Sequence, residues 1–229
     1  HFLRIISNIG DNHQRTPNLW SKIEQTLLDM KDEIKQTMSN SDIFDIFENN
    51  KKILLFLFTK DIVTIDEIIF NKIKNKIEFN GIKYCHFFFP EIKKFIEKEE
   101  VERIEKEILE LDPTYPEKFD EKRQIGENDS ILCSLIRSDS IEEFVSFVNR
   151  SNMELTRQIK PSIYETNLLL NGKIPTLIEY AAFYGSIQIF KYIFNNEIEL
   201  EPSLWFYSIH SKNAELISFL EENHILPDD

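Results

Sequence analysis

The residues best suited to chemistry are few in this chain of 229 residues, and their spacing argues against catalysis and metal binding. Cys85 and His86 are adjacent, so a single helix face cannot direct both side chains at one metal ion without strain. A Cys–His pair also needs a third group that orients the histidine. His210 and His224 lie fourteen residues apart, with no third ligand at metal-binding spacing. We therefore expect neither a catalytic residue nor a metal site.

The glycine and carboxylate patterns exclude two further classes of site. The five Gly residues are so scattered that no two lie within ten residues of each other, so neither a dinucleotide-binding GxGxxG loop nor a P-loop can form. The acidic runs at 97–110 and 117–121 are typical of solvated helix faces. Nothing in the sequence raises the pKa of one carboxyl group over another, as acid–base catalysis requires. We expect no cofactor and no small-molecule substrate, and we predict that the chain is not an enzyme.

Composition and charge restrict the partners and the location. The 27 Lys and Arg against 40 Asp and Glu give a formal net charge of −13, which argues against nucleic acid and anionic membranes because both attract positive surfaces. The longest apolar runs, 53–58 and 87–90, are too short to cross a bilayer. Two Cys residues cannot form a disulfide framework, which favours reduced thiols and a cytoplasmic location. Because the sequence starts at His1 rather than Met, we expect it to be processed, trimmed or incomplete.

The elements that position these residues fall into two regions. Residues 1–15 predict a loose lead-in. Residues 16–111 predict an N-terminal helical region, in which apolar residues at helical spacing over 19–38 indicate one amphipathic helix of about six turns. Residues 112–127 are charged and turn-rich and predict a linker. A second unit is expected from about residue 128.

That second unit contains an internal repeat. A shift of 27 residues places 175–193 on 202–220 without a gap, and a shift of 46 places 135–144 under 181–190. The sequence thus predicts three copies with an insertion at 149–173 and a weaker fourth copy at 43–62; the three copies occupy 129–148, 174–200 and 201–226.

Each copy predicts a short helix, a turn and a second helix. Small residues such as Ala181 and Ser208 on the first helix permit close stacking, and apolar residues such as Ile189 and Leu216 form the packed stripe of the second. One such hairpin cannot bury its apolar face, so its neighbours must stack on it. The alternative is an ordinary helical bundle whose helix pairs look alike by chance.

The middle copy resembles the ankyrin repeat. Thr176, the pair Ala181 and Ala182, and Gly185 stand where the ankyrin pattern has its Thr, its Ala pair and its Gly. More narrowly, the chain from about 128 onward looks like the divergent ankyrin-type domains expanded in trichomonad protists. Four runs support this resemblance: 84–93, 123–130, 159–167 and 202–205.

The departures from the family pattern shape the fold that we expect. Leu177 replaces the Pro of the ankyrin pattern and Glu179 replaces its His, while the period of 27 falls short of the usual 33 or so. We therefore predict an all-α, ankyrin-like helical-hairpin solenoid with shortened or missing β-fingers, preceded by the N-terminal helical region.

The resemblance implies a site without chemistry, namely a concave face built from first helices. The two positions after the Ala pair would be the exposed ones that contact a partner. In this sequence those positions are Arg137 and Ser138, Phe183 and Tyr184, and His210 and Ser211. Aromatic residues dominate binding hot spots when they are exposed; alternatively, Phe183 packs on the next repeat. We expect Trp205 to be a core residue.

The leading hypothesis is a non-catalytic module that binds another protein, with a negative charge that favours partners with basic patches. A second hypothesis is an N-terminal helical domain with regulatory or enzymatic activity, which predicts a deep pocket of convergent polar groups within 18–111. A third is one element of a larger repeat array, which predicts an exposed apolar edge after Leu226 or before Leu19.

Overall fold

The computed structural model describes residues 1–13, 16, 18–78, 81–171, 173–196 and 200–227, and in these residues the chain is all-helical. It has seventeen α-helices and one short 3-10 helix there, and no strand. None of the described helices has the length and apolar character needed to span a membrane. Contacts divide the chain into two compact units, which are His1–Glu127 with Pro161–Gly172, and Asn128–Lys160 with Lys173–Asp229.

Eleven of these helices belong to the first unit. In chain order they are α1 Phe2–Asn12, α2 Leu19–Asp29, α3 Lys31–Thr37, α4 Asn40–Phe47, α5 Lys51–Thr59, α6 Glu67–Asn75, α7 Tyr84–Phe87, α8 Phe89–Ile92, α9 Lys98–Leu111, α10 Phe119–Ile125 and, after the helices of the second unit begin, α13 Leu168–Asn171; the 3-10 helix is Lys93–Phe95.

The core of the first unit forms around α5. Leu54 and Leu57 on this helix are fully buried, and they belong to one cluster with Phe87 and Phe88 from α7 and the residue after it. The apolar run 53–58 is hydrophobic on all sides, which is typical of a helix surrounded by others. The weak fourth copy predicted at 43–62 corresponds to α4 and α5 of this unit.

The loose lead-in expected at 1–15 is instead helical over residues 2–12, which form α1, while residues 14 and 15 lie outside the described residues. The buried side of α1 is Leu3, Ile6, Ser7 and Gly10, a spacing that brings them onto one helix face. Ser7 is small and polar and Gly10 has no side chain, so hydrophobicity alone does not reveal this buried face. Gly10 lies against Ile53, and a Cβ there would come within 2.9 Å of its Cδ1.

The single helix predicted over 19–38 is two helices, α2 and α3, which meet at Met30. The apolar spacing is kept through this break, so periodicity cannot reveal it. The first of the two helices, α2, begins at Leu19 after Asn18, which has a left-handed conformation.

The charged linker predicted at 112–127 is instead an integral part of the first unit. Asp112 and Arg123 are both buried. Arg123 lies on α10, donates to the carbonyl of Phe87 at 2.9 Å and pairs with Glu91 at 2.7 Å. Charged residues indicate a linker only when they are solvated, whereas these are paired with partners distant in sequence.

Asp112 joins three segments of the first unit. Its carboxylate accepts hydrogen bonds from the backbone and hydroxyl of Thr114, from the ammonium of Lys122 at 2.9 Å, and from the hydroxyl of Tyr164. Burial alone would raise the pKa of Asp112, but these hydrogen bonds outweigh burial and lower the pKa to about 2.

Asp112→Asn is therefore expected to destabilise the first unit in a pH-dependent way. A carboxyl whose pKa is lowered on folding stabilises the fold above its unfolded pKa, and this contribution disappears as the pH falls from about 4 to about 2. We expect a loss of about 2 kcal/mol at neutral pH that shrinks through this window. Trp20 is the sole Trp of this unit. Its fluorescence in a Trp205→Phe background therefore measures the urea unfolding of the first unit. An equal loss at neutral and acid pH would contradict the assignment, and exposed Glu117→Gln is the control.

The second unit consists of three helical hairpins and a connecting segment. The hairpins are α11 Ile131–Arg137 with α12 Ile141–Ser151, α14 Leu177–Tyr184 with α15 Ile187–Phe194, and α16 Ser203–Ser211 with α17 Ala214–Glu222. The first helices contact one another in order, α11 on α14 and α14 on α16, and α12 contacts α15. The ring of Phe219 on α17 packs edge-on against Phe190 and Phe194 of α15.

The turn inside each hairpin repeats one backbone conformation. Asp139, Gly185 and Lys212 all have a positive φ, at 49°, 71° and 57°. These are the three residues that shifts of 46 and 27 place on one another. Only Gly adopts this left-handed region without cost, so the two other copies accept strain to keep the same turn.

Polar contacts between successive turns hold the hairpins in register. The carboxylate of Asp139 accepts hydrogen bonds from the backbone N–H groups of Gln188 and Ile189, at the start of α15. Ser186 donates from its hydroxyl to the carbonyl of Ile136, and Asn213 donates from its side-chain amide to the carbonyl of Gly185 at 2.9 Å. Each turn thus satisfies backbone groups of the hairpin beside it.

The predicted insertion and the predicted β-fingers differ in how far the structure describes them. Of the predicted insertion at 149–173, the first three residues complete α12, and Pro161–Gly172 belongs to the first unit. Where a β-finger would join α15 to α16, residues 197–199 lie outside the described residues, so the predicted shortening stays a prediction there.

Asp139→Ala is expected to lower the free energy of unfolding of the second unit by about 2 kcal/mol, because it removes a cap of α15 and places Ala in a left-handed turn. Asp139→Asn is the matched variant: it keeps an acceptor oxygen and tolerates the conformation, so it should cost about half as much. Trp205, in a Trp20→Phe background, reports urea unfolding of this unit. Equal losses for both variants would contradict the capping role.

Candidate functional site

A row of large side chains runs along the C-terminal ends of the three first helices. It begins on α11 with Arg137, whose guanidinium donates to the carbonyl of Asn128 at 2.7 Å and to the hydroxyl of Tyr180 at 3.0 Å. The guanidinium carbon also lies 5.9 Å from the ring centre of Tyr184, a distance at which a cation is attracted to an aromatic face.

The row continues from α14 to α16 through contacts between rings. Tyr184 meets Phe183 edge-on, with centroids 5.1 Å apart, and Phe183 lies 6.3 Å from the imidazole of His210. His210 in turn meets Phe206 edge-on at 5.3 Å. We call Arg137, Tyr184, Phe183, His210 and Phe206 the aromatic row; it spans one hairpin to the next because the first helices stack side by side.

The burial of Phe183 corrects the expectation that it is an exposed contact residue. Phe183 is 2% exposed, and its ring lies beside His210 of the next first helix. Tyr184, Arg137 and His210 are half-buried, and Phe206 is 44% exposed. The row therefore has a buried centre, and the surface that it offers to a partner comes from its outer members.

The two predicted serine positions have local structural roles. Ser138 is exposed and donates back to the carbonyl of Ser134 at 3.0 Å, which ends α11. Ser211 donates to the carbonyl of Ser208 and accepts a hydrogen bond from the backbone of Asn213 at 3.0 Å. Both therefore shape the turn at the end of a first helix.

Sequence reasoning missed two members of this surface. Phe206 is one turn before His210, so the rule of two positions after the Ala pair passes over it, although the i,i+4 relation could have indicated it. Tyr180 was overlooked because its position in the repeat is typical of a core residue. It is buried, yet its hydroxyl accepts a hydrogen bond from the guanidinium of Arg137. Trp205, expected in the core, is half-buried and donates from its indole to the carbonyl of Ile225.

The N-terminal ends of the same helices are held by a polar network. Thr176 and Glu179 form a reciprocal capping box at the start of α14, and Ser203 of α16 donates to Glu179 at 2.7 Å. Glu179 thus links the N-terminal ends of α14 and α16. Burial, with a smaller effect of Glu179, raises the pKa of Tyr207 to about 12, so this phenol stays neutral.

The reactive residue types of the first unit are engaged in structure. His86 is buried and its Nε2 lies 2.9 Å from Glu107, which also binds Lys83 at 2.7 Å. Burial lowers the pKa of His86, although Glu107 opposes this. Cys85 is a buried free thiol, and burial raises its pKa, which makes it a poor nucleophile.

The first unit also has an open cleft of about 810 Å³ between α1 and α4, lined by Arg4, Asp42 and Asp45 among others. Asp42 accepts a hydrogen bond from the hydroxyl of Ser39, and Asp45 pairs with Lys72. Both carboxylates therefore have partners within the fold. Among the described residues no three His, Cys, Asp or Glu side chains lie close enough to hold a metal ion.

Comparison of the chain with known protein families, with curated proteins and with solved structures gave no match in any of the three.

The buried centre of the row predicts unequal effects of two matched substitutions. Phe183→Ala should lower the free energy of unfolding of the second unit by about 3 kcal/mol, because it leaves a cavity between α14 and α16. Phe206→Ala removes the same atoms from a half-exposed position and should cost about 1 kcal/mol. Urea unfolding followed by Trp205 fluorescence measures both variants. Similar losses for the two would contradict the buried position of Phe183.

Proposed function

We propose that this chain is a non-catalytic protein-binding module, and that its second unit is a divergent ankyrin-type solenoid that presents its first helices to a partner protein. The observation that carries this proposal is the aromatic row, which crosses α11, α14 and α16 through successive ring contacts. Clustered aromatic side chains with an Arg at one end are the residue types that dominate protein-binding hot spots.

The arrangement of the row also supports binding. Its buried members, Phe183 above all, fix the positions of the partly exposed Tyr184, His210 and Phe206. A partner then meets side chains that have already lost most of their rotamer freedom, so less entropy is lost on binding.

The stacking order supports the solenoid part of the proposal. Each first helix contacts the first helix of the next hairpin, and the left-handed turn residues recur at the register positions of the sequence repeat. In a solenoid each repeat contacts its neighbours and the first helices share one surface. The net charge of −13 favours a partner with a basic patch, through faster association more than through tighter binding.

The enzymatic alternative for the N-terminal region has weaker support. It predicts a deep pocket with convergent polar groups, whereas the cleft beside α1 and α4 is open and its carboxylates are bound to Ser39 and Lys72. The third alternative, one element of a larger array, has a specific observation in its favour. It predicts an exposed apolar edge after Leu226 or before Leu19, and Leu226 itself is 76% exposed.

The proposal is tested by proximity-labelling mass spectrometry on cells that express the wild type or one of two variants. Phe206→Ser alters the most exposed member of the aromatic row. Ile131→Ser is the matched control, because Ile131 is an exposed apolar residue of the same unit, 67% exposed and outside the row. Circular dichroism melts verify that each variant is folded.

We expect a discrete set of proteins to be lost with Phe206→Ser and kept with Ile131→Ser. The proposal fails if both variants label the same proteins as the wild type, or if the control loses the same set. Binding of a basic partner to the purified wild-type chain should also weaken as salt is added, because screening reduces the attraction between opposite charges.

A further inference from the structure

The imidazole of His86 joins α7 to α9, and the fold uses only one of its two ring nitrogens. Of the five His residues, His86 alone is buried. Its Nε2 lies 2.9 Å from the carboxylate of Glu107 on α9. Because a carboxylate only accepts hydrogen bonds, the neutral imidazole carries its proton on Nε2 and donates to Glu107. The other nitrogen, Nδ1, is buried and has no hydrogen-bond partner.

Protonation of His86 would change the demands of the Nδ1 atom. An imidazolium carries a proton on both nitrogens, so Nδ1 would become a buried donor without an acceptor. A donor that is removed from water and left without a partner disfavours the folded state. The unfolded chain exposes both nitrogens to water and has no such cost. The position of His86 in the fold therefore suits the neutral imidazole.

The carboxylates around α7 already have cations beside them. Their ion pairs are Glu107 with Lys83, Glu78 with Lys51, Glu100 with Lys74 and Arg103, Glu91 and Asp120 with Arg123, and Glu48 with Lys76. The nearest of them, Glu107, binds Lys83 at 2.7 Å as well as His86. A proton on His86 therefore adds a buried positive charge to a set of charges that is already paired.

The neutral groups beside His86 supply no further negative charge. Burial raises the pKa of the Cys85 thiol and raises the pKa of the Tyr84 phenol well above its usual value, so both keep their protons near neutral pH. Burial also lowers the pKa of His86, and this effect outweighs the opposing effects of Glu107 and Glu78. The direction agrees with the unpartnered Nδ1 and with the paired charges.

We propose that His86 and Glu107 form an acid-sensitive latch between α7 and α9, which is closed while the imidazole is neutral and weakens when the imidazole is protonated. A His whose pKa is lowered on folding binds fewer protons in the folded state. Its stabilisation is complete above the unfolded pKa of about 6.5 and decreases as the pH falls below that value. This window lies above that of Asp112, which extends from about pH 4 to about pH 2.

The latch is independent of the proposed binding function. It lies within the first unit, whereas the aromatic row lies within the second. Either proposal can therefore fail without the other.

Hydrogen exchange of the α9 amides in the full chain, measured between about pH 7 and about pH 5, tests the proposal. Each rate is compared with the rate of an unfolded chain at the same pH, which gives a protection factor. We expect the protection of the Ile104 and Ile108 amides to fall about tenfold over this range, because one proton changes the opening equilibrium by at most about tenfold per pH unit. His86→Gln keeps a donor for Glu107 but takes up no proton, so it should abolish the fall.

His13→Gln is the matched control, because His13 is an exposed His of the same unit, and it should keep the whole pH dependence. Lys83→Met tests the role of charge. Without Lys83, the carboxylate of Glu107 faces His86 alone and favours its protonation, so the loss of protection should shrink to less than about threefold.

A nuclear magnetic resonance titration of the wild-type imidazole gives an answer without any substitution of His86. We expect His86 to stay mostly neutral at about pH 6. The proposal is overturned if His86 is mostly protonated at that pH, if wild-type protection is constant or rises as the pH falls, or if His86→Gln keeps the fall in protection.

Discussion

The burial of α14 between α11 and α16 is the constraint on which the rest of the second unit depends. A pair of short helices has too little apolar surface to be stable alone, and eight residues are too few for an isolated helix. Ala181 and Ala182 let neighbouring backbones approach closely, and Phe183 fills the space towards α16. The aromatic row follows from this stacking, because it aligns the ends of the first helices.

Polar contacts give this stacking its register. Apolar faces tolerate sliding, whereas the carboxylate of Asp139 accepts hydrogen bonds from two specific N–H groups and Asn213 reaches one specific carbonyl. Hydrogen bonds are directional, so these contacts form at one alignment of the hairpins and are lost when the hairpins slide. The turns therefore select one alignment of the hairpins, and that alignment places Arg137 beside Tyr184 and Phe183 beside His210.

Much of the helical content was predictable, because apolar spacing and small residues are local signals. The all-helical class is confirmed in the described residues. The sequence predicts a second unit from about residue 128, and the contacts begin the second compact unit at Asn128 but assign Pro161–Gly172 to the first. The helix over 2–12 was missed because Ser7 and Gly10 occupy its buried face. The apparent linker was misread because burial of Asp112 and Arg123 depends on partners such as Tyr164 and Glu91, far away in sequence. For the candidate site, position relative to the Ala pair led to the ends of the first helices, but it could not tell buried Phe183 from exposed Phe206.

The central claim is that the first helices stack in chain order, with α14 in the middle. Nuclear Overhauser contacts between assigned side chains measure this directly. The account predicts contacts from Tyr184 and Tyr180 to Arg137, and separate contacts from the Phe183 ring to His210. Contacts from Phe183 to Arg137, or the absence of any contact between α14 and α16, would show a different packing order and contradict the account.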